Sequence, residues 1–189
     1  TQRYQSMHQE HHAELVARDY SNATLATEII DKLQPKTVID VGCGIGLLNS
    51  HLVKQGANVI GLEGSWLHDD AKVLPADHYR VVDLEEPFSL PQTFDVCTCI
   101  EVAEHLEPNR ADGVVRDLCA LSDVVGFSAA VIGQGGKGHK NEQWQEYWCH
   151  KFIANDFKCF DPFRNTFRRD PQMMPWFQQN VLLFVKKSN

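Results

Sequence analysis

The stretch Val38-Ile39-Asp40-Val41-Gly42-Cys43-Gly44-Ile45-Gly46 constrains the fold more than any other part of the chain. A β-branched apolar run carrying one carboxylate meets three glycines at alternate positions. A helical pattern resumes at Leu47 and is closed by Gly56. A second apolar run, residues 58–62, then ends in Glu63. Strand, glycine turn, helix, strand and acid in that order form half of a nucleoside-binding unit built on parallel strands.

The alternation continues along the chain. Further strands are expected at residues 79–82, 94–100, 123–128, 157–160 and 181–186. Helices are expected at 22–33, 47–55, 109–120 and 141–154. In the first of these Leu25, Ile29, Ile30 and Leu33 share a face, with Ser21 as N-cap, and Asn141 caps the last. Residues 133–140 are too glycine-rich for regular structure, and 161–178 are punctuated by Pro162, Pro171 and Pro175. Strands alternating with helices predict an α/β, doubly wound, largely parallel sheet. Such sheets bind ligands beyond the carboxyl ends of their strands, at the switch point. Asp40, Glu63, Asp83 and Glu101 all fall at or just past those ends.

A length of 189 residues suits one domain, expected to run from 1 to 189. No apolar run approaches the ~20 residues that span a bilayer, so no membrane partner is expected. Residues 1–12 are polar and His-rich, unlike a secretory leader, and the expected location is cytoplasmic. A net charge of −7 makes nucleic acid an unlikely partner, because phosphate binding needs surplus Lys and Arg. Arg164, Arg168 and Arg169 read as a solvated surface. The six cysteines form no C-x-x-C pair, which argues against a cysteine-built zinc site and leaves buried free thiols as the expectation. The expected partner is a small-molecule acceptor, with the chain a monomer or homodimer.

The turn narrows the cofactor. A dinucleotide loop carries G-x-G-x-x-G/A, but Leu47 stands at its third position, and Asp40 would repel a pyrophosphate. A nicotinamide dehydrogenase is therefore a poor reading. An acid beside the turn suits a cationic ligand, and S-adenosylmethionine carries a sulfonium and an ammonium. Gly42, Gly44 and Gly46 let backbone approach its methionine part, with Cys43 alongside. The helix N-terminus beyond receives its carboxylate. Glu63, with Gly64 beside it, accepts the ribose hydroxyls, and Asp83 with the Leu84 amide meets adenine.

These segments resemble the class I S-adenosylmethionine-dependent methyltransferases. V-I-D-V-G-C-G-I-G is similar to the family's first motif, V-I-G-L-E-G-S to its second, V-V-D-L to its third and F-D-V-C-T-C-I-E-V-A-E-H-L to its fourth. The resemblance is strong over residues 37–106 and implies a Rossmann-like sheet of seven strands, mostly parallel, with the last strand antiparallel. It implies the cofactor roles above for Asp40, Gly42, Gly44, Glu63, Asp83 and Leu84, and in many relatives the N-terminal segment, here 1–34, forms a lid. Glu101, where strand four ends, is expected to meet the cofactor as well, and Trp66, just past Glu63, either stacks near adenine or is a core residue.

Methyl transfer is an in-line displacement, so the protein mainly aligns the partners and excludes water. A hydroxyl nucleophile also needs a base or a metal. His139, in the glycine-rich loop after strand five, is the candidate general base, aided by His105 and Glu101. Trp144 and Trp176 are candidate walls of the acceptor site, with 133–140 and 161–178 as substrate-side loops. The expected activity is methyl transfer to oxygen of a small-molecule or sugar-like acceptor. Glu101-x-x-Glu104-His105 is also similar to two metal-using O-methyltransferase groups, those acting on small RNAs and those of the ubiquinone pathway. The metal alternative uses Glu101, Glu104, His105 and His139. A cofactor-binding module without catalysis is the further alternative.

Overall fold

The structure, a computed structural model, describes residues 12–188. It opens with helix α1 (His12–Leu33), followed by β1 (Thr37–Val41), α2 (Leu47–Lys54), β2 (Asn58–Glu63) and β3 (Tyr79–Val81). Then come β4 (Val96–Ile100), α3 (Ala111–Leu121), β5 (Val124–Ser128), α4 (Gln145–Ala154) and β6 (Phe157–Phe160). Two short helices, α5 (Arg164–Phe167) and α6 (Pro175–Asn180), lead into β7 (Leu182–Lys186). The seven strands form one sheet in the order β3-β2-β1-β4-β5-β7-β6. The first five run parallel, and β7 is antiparallel to both β5 and β6.

The strands are apolar on both faces because helices cover both. Ile39, Val41, Leu62, Cys97, Cys99, Val125, Phe127 and Phe184 pack against α3 and α4 through Val114, Val115, Leu118, Trp148 and Phe152. The alternating positions Val38, Val59, Val96 and Leu183 pack on the other side against Leu25, Ile29, Leu48, Leu52, Phe163, Phe167 and Phe177. The period of two along each strand sends successive residues to opposite layers. Asp40 shares its parity with Val38, so it points toward the α1 and α2 layer. Because the chain leaves β1 for β2 on one side and returns to β4 on the other, a crevice opens at the carboxyl ends of β1 and β4.

Several local expectations are corrected. Ser21 is not a cap: α1 begins at least nine residues earlier, and the buried Ser21 hydroxyl instead accepts the Met174 backbone N–H at 2.9 Å. Tyr20 reinforces that contact by donating to Asp170 at 2.7 Å, so α1 is tied to the 161–178 segment. The His-rich stretch before α1 lies outside the described residues. Asn141 does not cap α4, which starts at Gln145. It is buried, and its N–H binds the carbonyl of Glu104 at 3.0 Å. The cysteines divide: Cys97 and Cys99 are buried, Cys43, Cys119 and Cys149 are half-buried, and Cys159 is exposed. Arg168 and Arg169 are exposed, while Arg164 pairs with Asp161. No helix among the described residues is long and apolar enough to cross a membrane.

The antiparallel edge is held by aromatic packing. Phe152 is fully buried, stacked on Phe184 at 3.9 Å between ring centroids and edge-on to Phe127 and Phe157. Phe152→Ala is expected to lower unfolding free energy by about 3–5 kcal/mol in chemical denaturation, through lost burial and the cavity it leaves.

Candidate active site

A cavity of about 820 Å³ lies at the carboxyl ends of β1, β2, β3 and β4. Its lining includes Asp40, Gly42, Cys43, Gly44, Glu63, Gly64, Asp83, Leu84 and Glu101, while Gly46 of the same turn is not part of it. The same cavity reaches Glu104, His105, Gln134, His139 and Trp176. The residues expected to hold a cofactor and those expected to handle an acceptor therefore line one space.

Two carboxylates are buried at its floor. Asp40 stands opposite Thr98 in the β1–β4 register and accepts the Thr98 hydroxyl at 2.7 Å. Glu63, ending β2, accepts the N–H of Gly44 at 2.7 Å and of Gly64 at 2.8 Å, one on each oxygen. Burial pushes Asp40 up to about 7 against the help of Thr98, and the charge of Glu63 adds to the rise. Burial likewise pushes Glu63 up to about 7, although the two N–H donors favour its ionised form. Two such acids side by side favour a positively charged neighbour.

The glycines of the turn meet the protein as well as the ligand space. Gly42 has φ +76°, and a Cβ there would sit 2.5 Å from the Val102 side chain. Gly46, at φ +90°, is overlain by the Tyr79 hydroxyl, which donates to the Ile45 carbonyl at 2.6 Å. Tyr79 thus locks the turn at its third glycine. Gly46 also stands at the start of α2 as its N-cap and supplies no side-chain cap, and uncapped N–H groups at a helix start suit an anionic group.

The loop after β3 is braced from behind. Arg110, buried, donates to the Leu84 carbonyl at 2.9 Å and the Glu86 carbonyl at 3.0 Å and pairs with Asp117. At the mouth, Lys140 bridges Glu85 and Glu107, each at 2.9 Å, and joins the glycine-rich loop to that rim.

At the other end of the cavity His105 and His139 meet edge to face, with ring centroids 4.9 Å apart. His139 Nδ1 lies 2.8 Å from Glu142 Oε1. Glu142 also accepts the N–H groups of Gly133 and Gly135, each at 2.9 Å, so one carboxylate orders the loop and orients the imidazole. The His139 contact, with those two bonds, holds Glu142 below its ordinary range. One donor atom each from Glu104, His105 and His139 lie within 4.8 Å of one another. Glu104 is buried, its Oε2 has no hydrogen-bond partner, and burial with the nearby Glu101 charge drives its carboxyl well up.

Glu101 stands outside that donor group, which corrects the four-ligand set. Its carboxylate is engaged by Gln134 at 2.9 Å and Asn180 at 3.0 Å. Its backbone has φ +55°, sustained by its N–H bonding to both the carbonyl and hydroxyl of Ser128 at 3.0 Å. Burial pushes this carboxyl up too. Trp144 is not brought to the cavity: it is 57% exposed at the start of α4. Trp176, Phe177 and Trp66 do line the cavity, and so does Asn22 of α1. The sequence reading missed Thr98, Tyr79, Gln134 and Asn180, whose partners are distant in the chain. Glu142 left one local signal, an acid three residues after His139.

The carboxylate floor, the glycine turn and the uncapped helix start fit a cationic nucleoside ligand with an anionic group. A family model described as a methyltransferase domain matches residues 9–160. A ubiquinone biosynthesis O-methyltransferase of Nitrosomonas europaea is 38% identical over 89 residues, 42% of this chain and 37% of that protein. One of Colwellia psychrerythraea is 37% identical over 76 residues, 36% of this chain and 31% of that protein. The matched stretch spans about a third of these relatives' length. A TehB-like S-adenosylmethionine-dependent methyltransferase from Corynebacterium glutamicum superposes with TM-score 0.65 at 17% identity, over 99% of this chain and 100% of that one. A sugar N-methyltransferase from Streptoalloteichus superposes with TM-score 0.69 at 13% identity, over 97% and 92%. This chain belongs to the methyltransferase-domain family and has the fold of the class I S-adenosylmethionine-dependent enzymes.

Proposed function

We propose that the chain methylates an oxygen of a small-molecule, sugar-like acceptor using S-adenosylmethionine, with His139 as general base. The observation that carries this reading is the His139–Glu142 contact at 2.8 Å, in one cavity with Asp40 and Glu63. The bound cofactor supplies an electrophilic methyl group on a sulfonium. Glu63 would hold its ribose, Asp83 and the Leu84 amide its adenine, and Asp40, Gly42, Cys43 and Gly44 its methionine end. A hydroxyl is a weak nucleophile at neutral pH, so proton removal during attack accelerates transfer. Glu142 fixes the imidazole by its Nδ1 and stabilises the imidazolium that forms, leaving Nε2 for the acceptor's proton. Gly136 keeps that place open, since any Cβ there would strike the ring. Trp176 offers a face for a sugar ring, while Gln134 and His105 offer polar contacts beside it. That relatives are named O-methyltransferases supports oxygen as the acceptor atom.

Calorimetry on the intact chain is expected to show binding of S-adenosylmethionine and S-adenosylhomocysteine, and its absence would overturn the reading. Turnover measured as S-adenosylhomocysteine release across hydroxyl acceptors dismisses a purely binding role. With an acceptor in hand, His139→Ala is expected to lower kcat by roughly 10²–10⁴-fold with little effect on cofactor affinity. Glu142→Gln is expected to lower it by a smaller factor.

A second reading rests on the Glu104, His105 and His139 donors within 4.8 Å and the unpartnered Glu104 oxygen. These are one carboxylate and two imidazoles, a set suited to Mg²⁺, Mn²⁺ or Zn²⁺. A divalent ion held there would bind the acceptor oxygen and lower its pKa. Chelator treatment separates the two: activity that survives it supports the base, and activity lost and restored by a single added metal supports the ion.

The buried acids make a pH prediction. A carboxyl whose folded value is raised binds its proton more tightly in the folded chain than in the unfolded one. The stability this contributes is present at acid pH and is lost as pH rises from the ordinary 3.8 of Asp40 through about 7. Asp40→Asn is therefore expected to raise the melting temperature of the ligand-free protein at pH 8, with the gap closing toward pH 4. The same variant is expected to weaken S-adenosylmethionine binding on the order of 10–100-fold, through loss of a charged partner. An unchanged melting curve at pH 8 would show that Asp40 carries no burial penalty.

A further inference from the structure

Cys149 of α4 and Cys159 of β6 face one another with their sulfurs 3.4 Å apart. The chain turns sharply between them at Asn155 and Asp156, where Asp156 takes φ +65° and the Asn155 and Asp156 N–H groups close back onto Phe152 and Ile153. β6 therefore runs back beside α4. Phe152 and Phe157, both fully buried, hold the two elements together from the core side. On the solvent side Cys159 is exposed and Cys149 half-buried, so small reagents reach the pair.

The other four cysteines are in a different situation. Cys97 and Cys99 lie between the sheet and its helices, and Cys43 is packed beneath the glycine turn against Gly61. Burial drives all three thiols well up, and drives Cys119 to about 12. At Cys149 the neighbouring Cys159 thiol outweighs burial and holds the value below the ordinary thiol range. Thiolate character, access and an adjacent second thiol are the three conditions for selective oxidation. Among the six cysteines only this pair combines them.

We propose that Cys149 and Cys159 form a reversible dithiol–disulfide site, oxidised by hydroperoxides and returned to thiols by dithiol reductants. The Cys149 thiolate attacks one peroxide oxygen, the O–O bond breaks, and the departing oxygen leaves as water after taking a proton. Cys149 is then a sulfenic acid. The Cys159 sulfur attacks the Cys149 sulfur, the S–O bond breaks, and a second water leaves with the Cys159 proton. Two thiols lose two electrons, and one hydrogen peroxide gains them to become two waters. The product staples α4 to the edge strand β6 and closes a short loop, which restricts the unfolded chain. The site stands apart from the cavity and does not depend on the methyl-transfer reading.

The test uses the intact, fully reduced chain and equimolar hydrogen peroxide. The expected product is a monomer lighter by two hydrogen atoms, with peptide mapping joining Cys149 to Cys159. Its melting temperature should rise by roughly 2–6 °C and fall back on adding dithiothreitol. Cys159→Ser should stop at the sulfenic acid and label at Cys149 with a 1,3-dione probe, while Cys149→Ser should not label at position 159. Both thiols still alkylating after peroxide, a link to any other cysteine, or a disulfide between two chains would each overturn the proposal.

Discussion

Two carboxylates buried at the tips of adjacent parallel strands are the constraint around which this molecule is arranged. Asp40 and Glu63 are withdrawn from water there, and burial raises both to about 7. They are kept there by three specific donors: the Thr98 hydroxyl and the N–H groups of Gly44 and Gly64. Each donor requires a larger feature. Thr98 requires the β1–β4 register, the Gly44 amide requires the left-handed turn, and the Gly64 amide requires β2 to end where it does. Tyr79 on β3 then clamps the turn through the Ile45 carbonyl, which extends the dependence to a fourth strand. A floor so arranged favours a positively charged or hydrogen-bond-donating neighbour over an apolar one.

The other half of the cavity is built differently. Its residues come from connections: Glu104 and His105 after β4, Gln134, His139 and Glu142 after β5, and Trp176 and Asn180 before β7. Rigid strands place the ends of these segments, and side-chain contacts order the rest. Glu142 gathers two glycine N–H groups and an imidazole, and Glu101 gathers the amides of Gln134 and Asn180. Lys140 ties the same loop to Glu85 and Glu107 on the cofactor side. The two ends of the cavity are thereby mechanically joined, and a loop rich in glycine is held without regular structure.

The strands, their order of appearance and the four acids at their tips were legible in the chain because they rest on local patterns. Apolar runs, a glycine turn and an acid at a run's end each need only neighbours in sequence to be recognised. Expectations failed where a distant partner decided the outcome. Ser21 looked like a cap because Ser caps helices, yet the backbone of Met174 claimed its hydroxyl across 153 residues. Trp144 looked like a pocket wall, but the start of α4 leaves it in solvent. Glu101 looked like a metal ligand beside Glu104 and His105, but a left-handed backbone turns it to Gln134 and Asn180.

The chain's own sequence determined the sheet, the cofactor cradle and the kind of charge the cradle prefers. Those properties follow from short-range periodicity and from residue types at fixed offsets. Only the tertiary structure decided that Asp40 and Glu63 share one buried floor, that Glu142 orients His139, and that Glu104, His105 and His139 converge. It alone set Cys149 against Cys159. These are pairings between segments that no local pattern relates, and they exist because sheet order and helix packing bring the segments within hydrogen-bond reach.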